Sequence, residues 1–141
     1  MLASKIYGIP TKGTHAHSYV MSFDGSEFKN PIAKKIPGLE LRHRTDKSII
    51  DTNFYFNCTQ YRNKLEKHLK ISANEANDGE LVAFASYAVA FPNSFVALID
   101  TYEVLKSGLI NFMAVTLALN DLGYNAIGIR IDSGDLAYLS R

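Results

Sequence analysis

Three short runs gather the residues able to do chemistry. Gly13-Thr14-His15-Ala16-His17-Ser18 sets two histidines at i,i+2 beside two hydroxyls. Such a pair could bind a metal, shuttle protons or accept a phosphoryl group. Metal is the weakest of these, because alternate residues share a face only in an extended segment. The single cysteine, Cys58, and the scattered histidines also supply no further matching ligand set. Periodicity alone favours an ordinary structural or surface role for both rings. In Asp100-Thr101-Tyr102 a carboxylate directly follows an apolar run, a poor place for a charge unless something pairs with it. An imidazole is a natural partner, since a carboxylate on one ring nitrogen sets the tautomer and leaves the other more nucleophilic. The competing role, a cap for the next segment, is slightly favoured by spacing. The third run is Arg130-Ile131-Asp132-Ser133-Gly134-Asp135. A guanidinium ending a buried strand is costly without an anion, and its planar fork suits carboxylate or phosphate. Asp132 and Asp135 could hold sugar hydroxyls, or Mg²⁺ through water. Ser133-Gly134 offers backbone amides near a helix start. Equally, Asp132 and Ser133 could cap that helix while Arg130 pairs with a neighbouring aspartate.

The elements that must position these runs are clearest in the last third. Phe95–Ile99 reads as a buried strand, Gly108–Leu122 as a helix apolar around most of its circumference, and Gly123 as its stop. Ala126–Ile131 reads as a second apolar strand, with another helix beginning after it. Strand, helix, strand demands parallel pairing and a right-handed crossover. Ligands gather at the carboxyl ends of such strands, so Asp100 and Arg130–Asp135 should share one rim with His17. Upstream, a helix is predicted from about Asp78 to Phe91, capped by Asn77 or Asp78 and ended by Pro92, with Leu81, Phe84, Ala85 and Ala88 as its stripe. Another is predicted over Asn57–Ile71, with Cys58, Tyr61, Leu65 and Leu69 on one face and Glu66–Lys70 as a supporting pair. Residues 24–56 lack a steady period and read mostly as a long loop or insertion. Lys5–Pro10 reads as the end of one element and the start of a short strand, and His15–Phe23 as helix or strand.

The 141 residues suit one domain. A net charge of +1 gives no reason to expect a nucleic-acid or membrane surface. The locally basic stretch Lys29, Lys34, Lys35, Arg42, Arg44 and Lys47 reads as a solvated loop before it reads as an anion site. One cysteine allows no internal disulfide, no signal peptide is evident, and no run approaches the roughly 20 apolar residues of a membrane helix. The expectation is a soluble, cytoplasmic protein. To this point the residues specify a parallel α/β site for an anionic, phosphorylated ligand and leave the reaction open.

The blocks LASKIYGIPTKGTHAHSYVMSF and AFPNSFVALIDTYEVLKSGLINFMAVTLALNDLGYNAIGIRIDSGDLAYLSR, with the spacing between them, resemble the nicotinate phosphoribosyltransferase family. The likeness is close over 2–23 and 80–141 and looser between. It implies an α/β chain forming part of an irregular (β/α) barrel of the type II phosphoribosyltransferase kind, with parallel βαβ units and a helical insertion. On this reading 1–141 is a partial catalytic domain, 25–57 is a loop or insertion, and an amino-terminal domain and later barrel strands are missing. The implied activity joins nicotinate to phosphoribosyl pyrophosphate with help from ATP and Mg²⁺, as an ATP-dependent ligase or glycosyltransferase of NAD salvage in a homodimeric parent. His17 matches the histidine that becomes phosphorylated, and Asp100 its carboxylate partner. Thr14 and Arg130 match positions contacting nicotinate, Arg130 through the substrate carboxylate. Ser18, Asp132 and Asp135 are expected at the substrate site. The alternatives are a non-catalytic truncated remnant or isoform, and a nicotinamide phosphoribosyltransferase.

Overall fold

The computed structural model describes residues 2–9, 13–24, 39–72 and 75–139. Two short helices come first, α1 (Leu2–Tyr7) and α2 (His17–Met21). A small antiparallel hairpin follows, β1 (Leu41–Arg42) with β2 (Ile50–Asp51), then α3 (Phe54–Leu69) and α4 (Asp78–Ala90). The chain continues through β3 (Val96–Leu98), a π-helical turn at Val104–Gly108, α5 (Leu109–Asp121), β4 (Gly128–Arg130) and α6 (Leu136–Leu139). The strands β3 and β4 pair in parallel, Val96 with Gly128 and Leu98 with Arg130, as the βαβ reading requires. The barrel expectation extends beyond this two-stranded sheet.

The core lies where α5 packs on α3 and α4, and it takes in Phe95, Ala97 and Ile99 around β3. Phe84, Leu81 and Ala85 of α4, Phe95 and Ala97 around β3, and Ala114, Val115 and Leu119 of α5 are fully buried. Each large side chain there contributes about 1.5–3 kcal/mol. The predicted stripe of α4 is buried throughout, and the Asn77 side chain accepts the Glu80 N–H at 3.0 Å as the expected cap. Helix α5 ends as predicted. The N–H of Gly123 reaches the carbonyl of Asn120 and that of Tyr124 the carbonyl of Leu119, both at 3.0 Å, with Gly123 at φ 78°. That double closure needs a left-handed residue, which glycine adopts without a Cβ clash.

Several expectations are corrected. Lys5–Tyr7 are the end of one element, the helix α1, as expected, but the short strand does not start there: Gly8 turns at φ 64° and Ile9 is in no strand, while Pro10 lies outside the described residues. Most of the irregular stretch, 25–38, also lies outside them, but its end is ordered into the β1–β2 hairpin and the first turn of α3. Helix α3 starts at Phe54, which is fully buried, while Leu69 is exposed. Glu66 turns inward to Arg62 (3.7 Å), one turn earlier than the predicted Lys70 partner. Lys70 instead takes the left-handed C-cap at φ 57°. Arg62 is in turn tied to Asp78 at 2.7 Å, so the helix buries charge through pairing.

The π-helical turn before α5 was not predicted. Its Gly108 lies so close to the end of β3 that a Cβ there would fall 2.0 Å from the Ile99 carbonyl oxygen. Gly108→Ala is therefore expected to destabilise the chain by about 1–3 kcal/mol, the usual cost of overpacking. The urea midpoint measures it, and an unchanged midpoint would mean that the turn moves freely away from the strand. Beside Gly108, Ser107 donates to Glu80 Oε2 at 2.5 Å, and Asn111 Nδ2 reaches the same oxygen at 3.0 Å. Glu80 is fully buried, and burial pushes its carboxyl up to about 7 against these two hydrogen bonds.

Candidate active site at the carboxyl ends of β3 and β4

The register that pairs Leu98 with Arg130 brings Asp100 and Asp132 to equivalent positions just past the two strands. The Asp100 side chain is only 3% exposed. Its Oδ2 accepts the Asp132 N–H at 2.9 Å and the Ser133 hydroxyl at 2.5 Å, so it staples one strand end to the other. Its Oδ1 is buried without a hydrogen-bond partner and faces His17 Nε2 at 3.8 Å. Burial works to raise this carboxyl, yet the Ser133 and Asp132 hydrogen bonds, with His17 beyond them, hold it below the usual carboxylate range. Asp100 is an anion at neutral pH.

His17 opens α2 and leans over this anion, with 36% of its side chain exposed. Nδ1 lies 3.0 Å from the Thr101 hydroxyl, and Nε2 lies 4.0 Å from Asp132 Oδ2 as well as near Asp100. Two carboxylates on the Nε2 side favour the proton there. That leaves the lone pair on Nδ1, where the Thr101 hydroxyl can donate to it. The ring is thus oriented by Thr101 and polarised by Asp100, and Nδ1 is the nitrogen left to act as nucleophile once the Thr101 hydroxyl turns its proton to another acceptor.

Arg130 Nη2 pairs with Asp132 Oδ2 at 3.0 Å. Its side chain is 43% exposed, so the costly buried guanidinium expected from the sequence is not found. Strand β4 is short and mostly exposed among the described residues, and the Arg130–Asp132 alternative is the observed pairing. Asp135, at the rim, accepts the Tyr138 N–H at 3.0 Å and caps α6, a job the sequence had offered to Asp132 and Ser133. Ser18 is exposed on α2 beside His17. Thr14 lies deeper, its hydroxyl donated to the Val96 carbonyl at 2.7 Å. The rim therefore brings together His17, Asp100, Asp132 and Arg130, while Asp135 holds local backbone and Thr14 holds the distant backbone of β3.

Thr101 carried no role in the sequence, and Ser133 carried only those of a backbone amide or a helix cap. A hydroxyl next to a strand-end carboxylate was the available signal in both cases. For Mg²⁺ the donor set is thin. Among the described residues no group of three or more His, Cys, Asp or Glu side chains could hold an ion, and Asp132 is already shared with Arg130. These residues do not form a protein cage for that metal.

A parallel strand–helix–strand unit with an oriented imidazole and paired charges at its strand ends makes this an α/β segment. No protein-family model matches the chain. It is 48% identical over 141 residues to nicotinate phosphoribosyltransferase 2 of Arabidopsis thaliana, covering 99% of this chain and 24% of that protein. It is 46% identical to nicotinate phosphoribosyltransferase of Caenorhabditis elegans, over all of this chain and 24% of the relative. The crystal structure of human nicotinic acid phosphoribosyltransferase superposes with a TM-score of 0.81 at 40% identity, covering 96% of this chain and 25% of the human one. The chain is homologous to a segment of nicotinate phosphoribosyltransferase and spans about a quarter of the length of the curated relatives it matches.

Proposed function

We propose that this chain is the histidine-bearing segment of a nicotinate phosphoribosyltransferase, which forms nicotinate mononucleotide and pyrophosphate from nicotinate and phosphoribosyl pyrophosphate with ATP assistance. The observation that carries the reading is His17, set between the Thr101 hydroxyl and the Asp100 carboxylate on the strand-end rim of a segment homologous to those enzymes. In the proposed reaction an imidazole nitrogen attacks the γ-phosphorus of ATP, the bond to the bridging oxygen breaks, and ADP leaves. Asp100 stabilises the cationic character of the resulting phosphohistidine. Arg130 exchanges its exposed partner Asp132 for the nicotinate carboxylate, which fits its planar fork. Asp132, released from Arg130, and Ser18 and Asp135 complete the substrate rim. Mg²⁺ would be held mainly by the phosphate oxygens of the substrates and by water. A cytoplasmic homodimeric parent is part of the same proposal, and the free, buried Cys58 thiol is compatible with a reducing compartment.

The test is a chimaera in which this chain replaces the homologous quarter of the human enzyme, assayed for nicotinate mononucleotide. It is expected to use nicotinate in preference to nicotinamide and to respond to ATP. A folded chimaera without transfer activity would overturn the proposal. In the active chimaera Arg130→Ala should raise the nicotinate KM by about tenfold. That is less than for a fully buried ion pair, because the guanidinium already faces water. An unchanged KM would assign the carboxylate clamp to another residue.

A further inference from the structure

We infer that His15 is a positioning residue for His17: its neutral imidazole, with the Thr14 hydroxyl, takes the place of a neighbouring strand on the edge of β3 that faces away from β4. The inference rests on the proposed role of His17 for its catalytic consequence, though not for its geometry. Successive peptide groups of a strand point to opposite edges. On one edge of β3 the Phe95 carbonyl accepts from Ile127 N–H at 2.8 Å, and Ile99 N–H donates to the Arg130 carbonyl at 3.1 Å. The Val96 carbonyl and the Leu98 N–H belong to the opposite edge, away from β4. Thr14 Oγ1 donates to the first at 2.7 Å, and His15 Nε2 accepts from the second at 3.3 Å. Two consecutive side chains therefore satisfy in order the acceptor and the donor that a paired strand would satisfy, as buried backbone groups require.

Only one form of the ring can do this. An imidazolium would present N–H to N–H, so His15 must be neutral with its proton on Nδ1. Its surroundings enforce that state. The ring is buried among Tyr19 at 5.6 Å, Phe84 at 5.3 Å and Tyr87 at 5.0 Å between ring centroids. The titratable or charged groups around it are Tyr19 of α2, Tyr87 of α4, Arg130 of β4 and His17 of its own segment. Burial lowers its pKa to about 4 against the Ala16 backbone, which works to raise it, with Arg130 and His17 adding to the lowering. Ala16, extended at φ −99° and ψ 164°, links the buried ring to His17 at the start of α2. His17 then meets Thr101, which lies just beyond β3. One backbone run is thus gripped twice, at Leu98 by His15 and at Thr101 by His17. The first grip sets the register of the second, and so the place of His17 beside Asp100.

Two measurements test the inference. In ¹⁵N NMR of the 141-residue chain, the Leu98 amide nitrogen should show a scalar coupling across the hydrogen bond to His15 Nε2. The His15 ring should remain neutral from about pH 5 to 8, where an ordinary histidine titrates. In the human chimaera, His15→Phe keeps an aromatic ring in the cage but removes the acceptor, and should lower kcat by between about tenfold and 100-fold with little change in nicotinate KM. His15→Gln, whose amide oxygen can accept the same N–H, should recover most of that loss. A merely space-filling His15 would give the reverse order, with Phe the better replacement. Absence of the coupling in the folded chain, or a folded His15→Phe chimaera with undiminished kcat, would overturn the inference. A chimaera inactive with His15 intact would instead count against the proposed function, and the coupling would still decide the placement.

Discussion

Replacing His17 by alanine in the chimaera should eliminate acid-labile ³²P incorporation from γ-labelled ATP and with it the ATP-dependent gain in transfer. No second imidazole is placed to substitute: His68 is exposed in the last turn of α3, and His15 spends its Nε2 on the Leu98 N–H and is enclosed by three aromatic rings. His43 is engaged in its own turn, accepting the Asp46 N–H at 3.0 Å. Asp100→Asn should be a graded version of the same defect. The amide keeps an oxygen for the Ser133 and Asp132 hydrogen bonds but removes the negative charge facing Nε2. Labelling is expected to slow by about 10²-fold, the lower end of what a positioned proton-transfer partner contributes. Label that persists on a histidine in the His17→Ala protein would reassign the nucleophile. Undiminished labelling in Asp100→Asn would leave the carboxylate a purely structural staple.

The second large effect concerns stability and lies away from the rim. Glu80 is fully buried between Ser107 and Asn111, with one carboxyl oxygen lacking a hydrogen-bond partner, and burial raises its pKa from 4.5 to about 7. A carboxyl whose folded pKa lies above its unfolded one favours the folded state most when both are protonated. That stability is complete below about pH 4.5 and is lost as pH rises to about 7, at about 1.4 kcal/mol per unit. The total comes to about 3 kcal/mol, complete above pH 7. Glu80→Gln should remove this slope, since the amide stays neutral and can still accept from Ser107 and Asn111. Urea unfolding of the two chains at a series of pH values should therefore give curves that converge below about pH 4.5, separate between about pH 4.5 and 7 and stay a constant distance apart above that, the variant being the more stable. Parallel curves would show that Glu80 ionises in the native state at no cost.

Much of the frame was legible because it depends on neighbours in sequence. The Asn77 cap, the buried stripe of α4, the glycine that closes α5 and the apolar strands either side of it all follow from short-range spacing. Parallel pairing of β3 and β4 followed too, since a strand–helix–strand order leaves few other arrangements. The chemistry-bearing runs could likewise be picked out from residue type. Local spacing could not assign the two histidines, because one extended residue, Ala16, sends His15 into an aromatic cage and His17 to the rim. It could not assign Thr101 to His17, a contact across 84 positions of chain, nor the burial of Arg62 and Glu66, which depends on Asp78 arriving from another helix. It overestimated the burial of Arg130, because an apolar neighbourhood in sequence says nothing of how many strands flank β4. The sequence by itself determined the main helices, the strand–helix–strand unit and the candidate residues. Tertiary structure alone decided which of those residues meet, because burial, tautomer and charge pairing depend on atoms brought close by packing.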